Sequence, residues 1–195
     1  PKPEIINKEE FYSNAKKYIY NITGSLCSKD ENIILDQLLL PHNLYRIDNY
    51  FNDDLKVIVV ERDPRDVFIL NKYIWASKNL EIPYPKDVEE FCKYYKRMRE
   101  SENIKQSNKV LRIHFEDLIY NYDNQVSSIE KFIGFSNRDH INKLSRLNPE
   151  ISIKNTQLFR KEEYKDEIKV IEKELKNYLY SFPYEIINDV KNSIN

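Results

Sequence analysis

Residues 61–66 read Glu-Arg-Asp-Pro-Arg-Asp and follow directly on Val57-Ile58-Val59-Val60. Two guanidinium groups and three carboxylates crowd around one proline at the end of a run fit for a buried strand. Proline is favoured at the first position of a helix because its missing N–H leaves no bond unmade. The pattern therefore predicts a strand ending at Val60, Asp63 as N-cap and a helix from Pro64. Asp66, three residues after the cap, stands where a capping-box side chain reaches back, and its charge suits the positive end of the helix. Arg62 is left without such a duty. It stands at the carboxyl end of a strand just before a helix N-terminus, where open α/β sheets bind ligands and backbone amides attract anions. A guanidinium there adds a fork of donors matched to phosphate. The alternative is that Arg62 and Arg65 pair with Glu61, Asp63 and Asp66 as a solvated charge cluster.

The elements that must position this junction can be read from periodicity. Residues 8–21 place Phe11, Ala15, Tyr18 and Ile19 on one face at helical spacing, with Gly24 as the stop. Residues 32–37, 55–60 and 109–115 are three candidate strands. Their apolar runs lack strict alternation, which points to burial on both faces of a parallel sheet. Helical stretches at 64–79 and 86–103, separated by Glu81-Ile82-Pro83-Tyr84-Pro85, make a long right-handed crossover between the second and third strands. A further helix carries Val126, Ile129, Phe132 and Ile133 on one face and stops at Gly134. A charged amphipathic helix runs from Lys161 to Tyr180. Strands alternating with helices indicate an α/β layered fold, and a single domain over 1–195 is the default for this length.

The 31 basic and 32 acidic side chains leave a net charge of -1, so nothing in the overall balance advertises nucleic acid or a membrane surface. Any anion site must be local. The two cysteines, Cys27 and Cys92, lack paired spacing, which argues against a disulfide framework or a zinc site and fits a reducing compartment, the cytoplasm. No run approaches the roughly 18 apolar residues of a membrane span, and the opening segment does not read as a signal peptide.

With these residues in view, LKVIVVERDPRDV at 55–67 resembles the strand–turn–helix of sulfotransferases that use 3′-phosphoadenosine 5′-phosphosulfate (PAPS). In that family an Arg-x-Pro-x-Asp pattern follows a hydrophobic strand and its first arginine holds the 3′-phosphate. VLRIHFEDLIYNYDNQVSSIEKFIGF at 110–135 is similar to the family's later strand, its Glu-Asp-Leu turn and the helix after it. The stretch from Ile151 to Tyr184 resembles the terminal cofactor-contacting loop and closing helix. The resemblance implies a three-layer, P-loop-NTPase-like α/β fold with a mainly parallel sheet. It also implies that Arg62 binds the donor's 3′-phosphate, and that Lys154, Asn155 and Arg160 belong to the cofactor clamp. For those three a solvated basic loop is the alternative. Where many members carry a phosphate-binding serine, eight residues after the arginine, this chain has Leu70 followed by Asn71; Asn71 is the candidate substitute. The family's Gly-Thr-Thr-like N-terminal loop is not visible. Thr23–Ser28 contains Gly-Ser, but a helix rather than a strand precedes it, so it fails the context of a phosphate loop. The chain is expected to lack the N-terminal strand and phosphate loop, and to be an inactive fragment when alone.

Sulfuryl transfer needs a base for the acceptor hydroxyl, and donors for charge on the leaving phosphate. Asp36, at the carboxyl end of the first candidate strand, is the first choice, with Gln37 as a polar neighbour; the alternative is that Asp36 caps the next turn. His42, after Pro41, is the second choice. His114 is expected to be packed and hydrogen-bonded, His140 to lie at the surface in the first turn of a helix, and Glu116 and Asp117 to organise a turn. The reading is a sulfotransferase that moves a sulfuryl group from PAPS to an acceptor hydroxyl without a metal, leaving 3′,5′-diphosphoadenosine. Carbohydrate is the acceptor to try first. The rivals are a P-loop kinase or nucleoside triphosphatase fragment and a non-catalytic module that recognises a phosphorylated ligand.

Overall fold

The computed structural model describes residues 7–26, 28, 31–37, 40–52, 55–80, 82–102, 108–136, 138 and 140–185. Residues 1–6, Cys27, Glu81 and the end of the 86–103 stretch, all read above, lie outside them. The chain divides into two compact units, Pro1–Val57 with Arg99–Val110, and Ile58–Met98 with Leu111–Asn195. Among the described residues, no helix is long and apolar enough to cross a membrane.

In the first unit, helix α1 spans Lys8–Leu26. Asn7 caps it by accepting the Glu9 N–H (3.0 Å), and Glu9 and Glu10 sit at the positive end of the dipole. The helix passes through Gly24 instead of stopping there. The Thr23 and Ser25 hydroxyls donate back to the Ile19 and Ile22 carbonyls within the helix. A 3₁₀ turn at Pro41–Arg46 leads into the short helix α2, Ile47–Tyr50. Tyr12 meets Tyr50 edge-on, and the Asn52 N–H donates to the Tyr20 hydroxyl.

The first candidate strand is not a strand. Residues 32–35 are irregular and Asp36 and Gln37 form a bend, with Gln37 at φ 54°. A strand needs paired backbone and a buried face, and Ile34 is instead 93% exposed. The other two candidates form a two-stranded parallel sheet, β1 (Val57–Glu61) beside β2 (Val110–His114). Expected burial on both faces fails for β1: Val57, Val59 and Glu61 are half-buried, while Ile58 and Val60 point outward at 37% and 57% exposure. Side chains alternate across a strand, so packing against one face buries every second residue.

The crossover from β1 to β2 begins with helix α3, Pro64–Ile69, which continues as a π-helical segment over Leu70–Trp75. The chain leaves it at Asn79, φ 54°, a residue type that tolerates the left-handed region. Helix α4, Val88–Ser101, completes the crossover, with Asp87 accepting the Glu89 and Glu90 N–H groups. After β2 come α5 (Phe115–Tyr120) and α6 (Tyr122–Ile133). The latter ends as expected at Gly134, φ 81°, where the Phe135 N–H reaches back to the Glu130 carbonyl. The short α7 (Pro149–Ser152) opens the terminal loop, and α8 (Lys165–Glu174) closes the order. α8 is shorter than the expected 161–180 helix because 3₁₀ turns flank it on both sides. Phe68 and Ile69 of α3, Phe91, Cys92 and Tyr95 of α4, Phe159, and Ile168 and Ile171 of α8 form the core of the second unit.

Candidate functional site

The junction between β1 and α3 is built from residues 61–66. Asp63 is the N-cap as expected, accepting the Arg65 N–H at 2.9 Å, and its side chain is fully buried. Arg65 returns a two-pronged pair to the same carboxylate (Nε to Oδ1 3.0 Å, Nη2 to Oδ2 2.8 Å) and donates to Glu172 on α8 at 2.9 Å. Its guanidinium also lies over the Phe159 ring, 3.9 Å from the centroid. Burial works against the Arg65 charge, but the bonds to Asp63 and Glu172 outweigh it and hold its pKa above the ordinary value. The charge cluster read as the alternative is therefore, for Arg65, a buried clamp and not a solvated one.

Asp66 does not act as the capping-box acid. The Asp63 N–H is taken instead by Glu116 of α5 (Oε1, 3.0 Å). Asp66, with no exposed surface, accepts the Gln157 N–H at 2.7 Å and the Phe159 N–H at 3.3 Å, so it grips the terminal loop. Gln157 takes φ 55° to present that amide. Burial pushes the Asp66 carboxyl up to about 7 against the attraction of Arg62. Burial raises Glu116 as well, opposed by the Asp63 N–H bond.

Arg62 is half-buried at the end of β1. Its guanidinium lies over the Phe115 ring (4.7 Å to the centroid), one Nη donates to the Asn155 carbonyl, and its buried Nε has no hydrogen-bond partner among the described residues. Burial lowers its pKa, while Asp66, Glu116 and Asp63 act to restore it. Among the described residues the Arg62 Nε is thus left unpaired, in contrast to Arg65, whose Nε is bonded to Asp63.

The remaining sequence candidates fall out unevenly. Asn155 is joined to Arg62 through its main chain, and the Lys154 and Asn155 side chains are exposed on the same loop. Arg160 donates to Gln157 and pairs with Glu185 at 3.0 Å. Asn71 is fully buried and its amide is engaged on both sides with the Tyr84 main chain (3.0 and 3.3 Å), stapling the π segment to the following loop. Asp36 is exposed at its bend, and His42 lies in the 3₁₀ turn against Asn43 (3.2 Å). These last two belong to the first unit, and Arg62 with the terminal loop to the second. His140 lies outside any helix and pairs with Glu130 at 3.0 Å. Of the two glycines, Gly24 is helical and Gly134 caps α6, so neither follows a strand.

Sequence reasoning missed the grip of Asp66 on the loop, the buried Arg65–Glu172 contact, and Tyr180, whose N–H donates to Asp63 Oδ2 at 2.9 Å. These contacts span 91 to 117 residues where the separation is widest, and no local spacing announces them.

A parallel strand pair joined by a helical crossover, with an arginine where the first strand gives way to a helix, defines an α/β protein. The family model of the sulfotransferase domain matches residues 37–181, and this chain belongs to that family. No curated protein and no solved structure matches the chain.

Proposed function

We propose that this protein transfers a sulfuryl group from PAPS to a hydroxyl of an acceptor, with a carbohydrate as the acceptor class, on a three-layer sheet-and-helix scaffold in the cytoplasm. The observation that carries the reading is Arg62: a guanidinium at the carboxyl end of β1, immediately before the α3 N-terminus, with its Nε unspent. An anionic phosphate is a matched acceptor for the guanidinium fork, through charge-assisted hydrogen bonds. Arg62 holds the donor's 3′-phosphate, and Lys154, Asn155 and Arg160 contribute from the loop that Arg62 and Asp66 tie down. Asn71, engaged with Tyr84, supports this site by fixing the π segment rather than by direct contact.

In the transfer the bond between sulfur and the leaving phosphate oxygen breaks, a bond from sulfur to the acceptor oxygen forms, and the acceptor proton passes to a base. Asp36 is that base, with His42 as the alternative. The test is incubation with sulfur-labelled PAPS and a panel of hydroxyl acceptors headed by oligosaccharides. Label transferred to an acceptor in amounts that scale with protein, and lost in Arg62→Ala, supports the reading. Binding of 3′,5′-diphosphoadenosine without transfer to any acceptor, by this chain and also by a chain extended upstream, supports a phosphorylated-ligand module instead.

A further inference from the structure

His114 ends β2 in surroundings that neither its strand position nor the transfer chemistry requires. Its Nε2 lies 3.7 Å from Glu61 Oε2 and its Nδ1 4.0 Å from Glu116 Oε2. The ring leans on Tyr180 (5.3 Å between centroids), whose hydroxyl donates to Asp117 at 2.7 Å. Glu61 also takes a bond from Arg112 on His114's own strand. Neither His114 Nδ1 nor Glu116 Oε2 has a hydrogen-bond partner among the described residues. The expected packed and hydrogen-bonded histidine is thus an imidazole set between two carboxylates, one of them fully buried.

That buried carboxylate connects His114 to Arg62. Glu116 spends one oxygen on the Asp63 N–H, next to Arg62 in sequence, and turns the other toward the imidazole. A buried carboxylate needs a nearby cation or takes up a proton. Arg62 provides attraction to Glu116 and also to Asp66, so one guanidinium serves two buried acids. Phe115, the residue between His114 and Glu116, is the ring on which Arg62 lies.

We propose that His114 is a positioning residue: its protonation gives Glu116 a second counter-ion and leaves Arg62 to hold a phosphate-bearing ligand more tightly. The proposal rests on the reading of Arg62 as the residue for the donor's phosphate. Imidazole is the side chain whose charge ordinarily changes between pH 5 and 8, so the anion site gains strength toward the acid side of that range. The groups facing His114 are Glu61 from β1, held in turn by Arg112, Glu116 from α5, and Tyr180 with its partner Asp117. A proton on the ring is met by the carboxylates of Glu61 and Glu116, the first of them already paired with Arg112.

Two measurements separate this proposal from the reading beneath it. The first uses no ligand: thermal unfolding of wild type, Arg62→Gln, His114→Gln and the double variant, at about pH 6 and about pH 8. With the imidazole protonated, loss of Arg62 should lower the melting temperature less than at pH 8, by a difference of about 2 °C or more. In the His114→Gln background this relief is absent, and the Arg62→Gln loss should change with pH by at least that much less. Identical pH dependence in both backgrounds overturns the proposal. The second is the affinity for 3′,5′-diphosphoadenosine, read as the wild-type to His114→Gln ratio because the phosphate itself gains a proton near pH 6. Wild type should bind about threefold or more tighter at pH 6, with a ratio near one at pH 8, an effect the size of a partly screened charge interaction. His114→Lys, a fixed cation, should keep the advantage at pH 8. A ratio that ignores pH overturns the proposal. Absence of binding by every form overturns the donor-phosphate reading, and the ligand-free cycle then decides the role of His114 alone.

Discussion

The Arg62 guanidinium donates to the main-chain carbonyl of Asn155, 93 residues further along the chain. Asp66 holds the same loop through the Gln157 and Phe159 amides, so the end of β1 and the terminal loop form one construction. Because the bond to Arg62 uses a carbonyl, any side chain at position 155 preserves it.

The side chains of that loop are therefore separable from its placement. Lys154→Ala should weaken 3′,5′-diphosphoadenosine binding by about tenfold, the value of one charge-assisted bond, and Asn155→Ala by about threefold. Both should leave the melting temperature unchanged, since both side chains are exposed. Calorimetric titration checks this; unchanged affinity in both variants would make the loop a solvated one.

The two arginines of the junction should part company in stability. Arg65 is buried in a pair with fully buried Asp63, and removing one partner of such a pair costs about 3–5 kcal/mol. Arg65→Ala should shift the urea midpoint far more than Arg62→Ala, whose main effect is on anion binding. Equal shifts would contradict the division of labour between clamp and ligand group.

Asp66 should shape the response to pH. Its carboxyl is raised from 3.8 to about 7 in the folded protein, first by burial. The folded state thus holds this proton more tightly than the unfolded chain. Its contribution to stability is complete below about pH 4 and is lost as pH rises through about 7. Glu116, also raised by burial, acts with the same sign. Asp66→Asn removes the Asp66 part, so melting temperature plotted against pH should fall less steeply over that window than in wild type. A slope unaltered by the substitution would place the titration elsewhere.

If Asp36 is the base, Asp36→Asn keeps the shape and removes the basicity, and turnover should fall by roughly a hundredfold or more while donor affinity holds. Steady-state rates with a responsive acceptor check it. Intact turnover in that variant, with loss in His42→Ala, would move the role to His42.

What the sequence disclosed was local. The N-cap Asp63, the entry of α3 at Pro64, the stop at Gly134 and the strands beginning near Val57 and Val110 all rest on interactions within a few residues, and they stand as read. The stretch 32–37 misled because an apolar run says nothing about whether a neighbouring strand covers it; Ile34 lies open. The place of Arg62 was legible because a strand giving way to a helix is a local feature. Asp66 was misread because a first-turn acid suits either a cap or a distant amide, and only the folded chain brings Gln157 within 2.7 Å. Gly24 shows the same limit, since glycine permits a stop without compelling one.

The central claim is that the strand end at Arg62 binds a 3′-phosphorylated adenine nucleotide. The direct measurement is thermal stabilisation of this chain by 3′,5′-diphosphoadenosine, by adenosine 5′-phosphate and by ATP with Mg²⁺, in wild type and Arg62→Ala. The account expects 3′,5′-diphosphoadenosine to raise the melting temperature most, and Arg62→Ala to reduce that response to the level given by adenosine 5′-phosphate. Preferential stabilisation by ATP with Mg²⁺, or a response to 3′,5′-diphosphoadenosine that Arg62→Ala leaves intact, would contradict it.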